Sequence, residues 1–178
     1  MSTLSVTTLQ GLSSSPTPTK IEVASGHTLH APGHVIQVVN VNGNAQTTQN
    51  TTSGSFTETD TAFRTTITPK FSSSKIMFFC TLGLRMQESS GSDVQASYRL
   101  YDVTAGAAVS GTESAVRYYD YGNSGSYGAH SHAFNVLIDS WGTTAKTFTF
   151  QVKLSAGDGV ATGDESKSTS ITIMEIAQ

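Results

Sequence analysis

PKFSSSKIMFFCTLGLRM, residues 69–86, is the stretch whose periodicity decides the fold. From Ile76 onward every second residue is apolar: Ile76, Phe78, Cys80, Leu82, Leu84, Met86. A period of two lays one continuous apolar row along one face of a β-strand. A helix would need apolar residues three and four apart, and Gly83 would weaken it. Met77 and Phe79 make the other face apolar too at the start of the run. That end of the strand is therefore expected to be covered on both sides. A central strand of this kind puts a β core, not a catalytic helix or a cofactor loop, at the heart of the molecule.

The composition agrees. The chain has 178 residues, enough for one domain with a real core plus an arm. Charged residues make up 13%, against about 25% in an average globular protein. Ser and Thr fill the deficit, and β-branched Thr suits a pleated, half-exposed surface. A net charge of -3 offers no basic footprint for nucleic acid. The single cysteine, Cys80, lies in the apolar row and reads as a small buried hydrophobe, with no disulfide possible within the chain. The opening MSTLSVTTLQGL lacks the basic region and apolar run of a secretory signal. No segment has the length of a transmembrane helix, so membrane insertion is not expected. These features fit a soluble product made in the cytosol.

Residues 1–33 form an arm unlike the rest. Leu4, Val6, Leu9 and Leu12 are spaced through a Ser/Thr background, followed by the linker-like SSSPTPTK, a short alternating KIEVA and the turn-rich SGHTLHAPG. Such a segment buries little by itself, so it is either floppy or covered by another chain, and the weight falls on a partner or symmetric assembly that holds it. Residues 34–178 read as a run of strands. HVIQVVNV (34–41) ends at an Asn42-Gly43 turn signal. A run around 63–67 is closed by Pro69, and 96–103 carries an aromatic pair on one face. Residues 115–119 lead into DYGNSGSYG, and 129–141 aligns Phe134, Val136 and Ile138 on one side. Residues 146–154 alternate without a fault, and AGDGVATGDESKS reads as a loop before the last run, 170–176. Roughly eight or nine strands with polar, glycine-bearing loops predict an all-β, antiparallel, jelly-roll-like sandwich behind an extended N-terminal arm.

Chemistry-bearing patterns are sparse. His27, His30 and His34 lie on a Pro/Gly turn without cysteine partners or zinc spacing, so they read as turn or subunit-contact residues. His130 and His132 are two apart and share one face of a strand. One such pair supplies too few ligands for a metal, although three copies around an axis would gather an octahedral set. The structural reading outweighs the metal one. Asp139 and Ser140 have no triad spacing to the histidines, and no G-x-S-x-G elbow occurs. Asp158, Asp164 and Glu165 sit in a small-residue loop suited to solvated charge. The glycine runs lack the lysine of a phosphate loop. No catalytic signature and no cofactor signature emerge, so a non-enzyme is expected. Tyr118, Tyr119, Tyr121 and Tyr127, interleaved with Gly, Ser and Asn, have the composition of a binding loop that touches a sugar or a neighbouring subunit. Tyrosines covering a hairpin at the sheet edge would read the same way.

Taken in order, SSSKIMFFCTLGLRM, YRLYD (98–102), FNVLIDSWGTTAKTFTFQVKLS and STSITIMEIAQ form a series. This series resembles a C-terminal domain found in virion structural and tail-fibre-like proteins of marine and cyanobacterial phages. MSTLSVTTLQGL resembles their short N-terminal segments. The likeness spans 34–178 and, loosely, 1–12. It implies a homotrimeric β-sandwich without enzymatic activity or cofactor, attached to other virion proteins by an arm carrying Leu4, Val6, Leu9 and Leu12. Some phage fibre tips hold iron through His-X-His pairs, which is what the resemblance adds for His130 and His132. Long shaft repeats are absent, which implies a short fibre or a knob sitting directly on the particle. The expected function is thus a short tail fibre on a tail adaptor or nozzle, on the virion exterior, facing a host surface glycan. A capsid decoration (cement) protein is the alternative, and a carbohydrate-binding module a third reading.

Overall fold

A computed structural model describes residues 28–29, 31–43, 51–88, 93–119, 126–163 and 168–178, apart from the side chains of 88, 119, 126 and 127. The chain divides into Met1–His30 and Ala31–Gln178, and the strands described here all belong to the second unit. The arm residues Leu4, Val6, Leu9 and Leu12, with His27, His30 and Tyr121, lie outside the described residues.

In chain order the strands are β1 (Val35–Gly43), β2 (Thr65–Ile67), β3 (Lys75–Glu88), β4 (Asp93–Asp102), β5 (Ala107–Ala108), β6 (Ser114–Tyr119), β7 (Ser126–Asp139), β8 (Lys146–Ala156), β9 (Gly159–Thr162) and β10 (Thr169–Ile176). One sheet runs β1-β10-β3-β7, with β9 beside the far half of β3. The other runs β2-β8-β4, with β5 and β6 sharing the outer edge of β4. Every pairing is antiparallel, and the chain changes sheet at most of its connections, as in a jelly roll. The protein is an all-β sandwich, as the alternating pattern predicts.

The core lies between the two inner faces. β3 contributes Ile76, Phe78, Cys80, Leu82, Leu84 and Met86, all buried. β4 alternates without exception, burying Val94, Ala96, Tyr98 and Leu100. β8 adds Phe148, Phe150, Val152 and Leu154, and the Phe78 and Phe148 rings meet edge-on at 4.8 Å. These rows expel water from both sheets at once, which is the main stabilising term of a sandwich.

Several expectations are corrected. β1 does not turn at Asn42-Gly43, because Ser170 and Thr169 pair with those residues and continue the ladder. Residues 159–162, read as loop, form β9: Gly157 turns the chain at φ +98°, and Val160 is fully buried against the core. Phe63 belongs to a 3-10 turn, Thr61–Phe63, capped by the Asp60 carboxylate, which accepts from the Ala62 N–H at 2.8 Å. Tyr98 and Tyr101 are an odd number of residues apart and so lie on opposite faces of β4. The most consequential correction concerns β3. Its second face is not covered: Phe79 is 43% exposed and Met77 only half-buried, because the outer side of that sheet carries no second layer among the described residues.

Candidate functional site

The His-X-His pair is placed by strand parity. In the β3–β7 register, His132 pairs with Leu82 and His130 with Leu84, both inward residues. Both imidazoles therefore turn between the sheets. The rings lie 6.2 Å apart, with Tyr98 tilted against His132 at 5.1 Å and Tyr118 edge-on 5.7 Å from His130. Neither Nε2 has a hydrogen-bond partner among the described residues, although both atoms are shielded from solvent. Burial, reinforced by the neighbouring His130, holds His132 below the usual histidine range. Among the described residues no three His, Cys, Asp or Glu side chains gather as a metal site.

Tyr118 is part of this cluster and is partly buried. A Cβ at Gly128 would fall 2.7–2.9 Å from its ring carbons, so the ring lies flat over the glycine. Tyr119 and Tyr127 are placed only by their backbones, opposite Asp93 and Gln87. Asp139 pairs outward with Lys75 at 2.7 Å, while the Ser140 hydroxyl is engaged with Gly142. The histidines face the opposite side of β7 from Asp139. Burial pushes the Cys80 thiol up to about 12, which keeps it protonated. His34 is exposed, and its carbonyl accepts from the Ala177 N–H at 2.9 Å.

A second site is structural and was not foreseen. Glu175 on β10 is fully buried, yet no cation is paired with it among the described residues. Its carboxylate accepts from the Lys70 and Phe71 backbone N–H groups, the Ser74 hydroxyl at 2.7 Å and the Gln37 amide at 2.6 Å. Burial alone would raise its pKa, but these donors outweigh it and hold the carboxyl below the usual 4.5. One carboxylate thus clamps the turn before β3 to the last strand and to β1.

The third feature is the bare outer face of the β1-β10-β3-β7 sheet. Strand register lines up Val38, Met174, Met77 and Leu137 in one row across all four strands. Val38 and Leu137 are each 51% exposed. The next rows are Asn40, Thr172, Phe79, Asn135 and then Asn42, Ser170, Thr81, Ala133. Phe79, Thr81, Ala133, Asn135, Ser170 and Thr172 surround a hollow of about 390 Å³. Lys75 and Asp139, paired to each other, close one end. The other sheet is dressed differently. There Phe56 lies beneath Arg99 at 4.0 Å and Lys153 at 4.5 Å, and the 51–57 segment bridges to Val160 and Val152. The contiguous apolar letters of VIQVV and NVLID were the sequence signal for the exposed row, since a strand buried on one face needs only every second residue apolar.

No family model matches the chain, and no curated protein does. Among solved structures it is similar to the Eiger TNF of S. frugiperda, at 8% identity over 83% of this chain and 95% of that one, with a TM-score of 0.37. It is also similar to a chain of the T13 IBDV particle, at 14% identity over 89% of this chain, with a TM-score of 0.41. A chain of the infectious bursal disease virus Gx strain gives 13% and 0.39. The chain spans about a third of either viral chain, 35% and 36%. None of these likenesses bears on what the protein does.

Proposed function

We propose that this chain is a structural protein of a phage particle, a short homotrimeric tail fibre or fibre-like knob held by its N-terminal arm. The observation that carries the reading is the Glu175 clamp. The ordered segments on which the phage resemblance rests are mostly β pattern, which any sandwich would share. Glu175 and Ser74 are different, since neither the alternation of β10 nor that of β3 calls for a buried carboxylate and a hydroxyl there. The carboxylate joins the SSSK turn to the terminal MEI strand. Two of the family-marking segments are thereby coupled by chemistry, not by period. A surface rich in Ser and Thr and poor in charge also suits a particle protein exposed to varied salt, where charge pairs are screened.

Labelled antibody against this chain, applied to intact particles, tests the reading. Label on the tail supports it, label on the head moves it to a decoration protein, and particles free of label remove both.

A further inference from the structure

We infer that the outer face of the β1-β10-β3-β7 sheet, with the open β7 edge, is the surface through which copies of this chain associate. The inference rests on the reading that the protein assembles with itself, and it names where. Three rows of four side chains form the face: an apolar bar of Val38, Met174, Met77 and Leu137, bordered by Asn, Thr and Ser around Phe79. None of those twelve positions is charged. An apolar bar inside an uncharged polar border has the anatomy of a protein interface.

Charge and shape select a second copy as the occupant. The only charges closing that end of the face, Lys75 and Asp139, neutralise each other. The face of one copy and the β7 edge of another are both free of unpaired charge, so they can meet without like-charge repulsion, and no oppositely charged partner is called for. The same face carries both a projection and a recess, Leu137 beside the hollow lined by Phe79, Ala133 and Thr172. At about 4.8 Å between strands and about 6.7 Å between successive outward residues, twelve positions span roughly 400 Å². A standard interface takes about 800 Å² per partner, so the contact must extend beyond the bar.

The adjoining edge supplies the extension. β7 is fourteen residues long, follows β3 in unbroken register and has no strand on its far side among the described residues. Its only charge is the terminal Asp139, and it contains no proline, so neither of those devices blunts the edge. Its inward row, His130 to Ile138, remains half-buried, as at a border that a neighbour completes. In a closed ring each copy would offer its face to one neighbour and its edge to the next.

The test is light scattering and sedimentation of the full chain with Val38→Lys, Leu137→Lys and, as control, Ala115→Lys on the exposed outer side of the other sheet. Wild type is expected at a multiple of 18.7 kDa. Leu137→Lys and Val38→Lys should weaken association roughly 100-fold, since each buries an unpaired charge, while Ala115→Lys leaves it unchanged. Far-ultraviolet circular dichroism checks that each variant is folded. Wild type and both variants equally associated would overturn this interface and leave the particle reading intact. A wild type monomeric at micromolar concentration would overturn it as well. So would variants that keep their mass but melt earlier, which would show the face covered within the chain. Labelling of particles decides the function separately.

Discussion

Phe78 and Phe79 are neighbours in sequence with opposite fates, since one is fully buried against Phe148 and the other is 43% exposed. Phe78→Ala is expected to cost about 3–5 kcal/mol and Leu84→Ala about 2–5 kcal/mol in urea unfolding. Phe79→Ala should leave the unfolding of a dissociated chain nearly unchanged. Glu175 is the residue whose loss tests the clamp. Glu175→Gln is expected to destabilise by about 1–3 kcal/mol at neutral pH, because amide for carboxylate removes an acceptor from buried donors. The folded carboxyl titrates below its ordinary 4.5. Its stabilisation is therefore complete above that value and is lost as pH falls through the depressed one. The acid limb of the stability profile should flatten in Glu175→Gln; an unchanged limb would show that the carboxylate is not ionised in the fold.

At the scale of elements, β7 is the strand with the least support. Among the described residues β3 is the strand that pairs with it, and its inward row includes two imidazoles whose Nε2 atoms have no hydrogen-bond partner. His132 titrates below its unfolded value, so stability is full above about 6.5 and declines as pH falls from there. The rings beside it are those of His130 and Tyr98, with Tyr118 beside His130, and none of these is a carboxylate. Hydrogen exchange across 126–133 is expected to quicken on mild acidification in wild type and much less in His132→Phe. Equal acceleration in both would remove the histidine from the cause. Gly128 sets the fit of β6 on β7, and Gly128→Ala should cost about 1–3 kcal/mol by displacing the Tyr118 ring. If the ring is the obstacle, adding Tyr118→Ala should restore part of that loss in a double-mutant cycle.

For the whole molecule, the proposed function assigns the sandwich the role of a body and the arm that of the attachment. Removing residues 1–33 is expected to leave the circular dichroism spectrum and melting of the 34–178 sandwich largely intact, yet to abolish incorporation into particles. Truncated protein found on particles at wild-type amounts would show that the arm is not the attachment. One sheet has its outer face covered by Phe56 and paired cations, the other leaves an apolar row in water. The proposed association of copies would cover that row.

The alternation from Ile76 to Met86 was sufficient by itself to establish a β core, because period-two burial is a local property of a pleated strand. It also identified Phe78, Leu82 and Leu84 as core residues, and the comparable runs in 146–154 and 170–176 located β8 and β10. Strand ends and β9 were less legible, since Asn42-Gly43 and GDGVAT are turn-like until a partner strand captures them. Tertiary structure alone decided the rest. Whether a second apolar face is covered depends on layers remote in sequence, and Met77 and Phe79 proved to belong to an open face. The direction of His130 and His132 followed from their register against Leu82 and Leu84. The use of Glu175 depended on donors more than a hundred residues away, at Lys70, Phe71 and Ser74. Periodicity encodes which side of a strand is apolar; only long-range packing determines what that side meets.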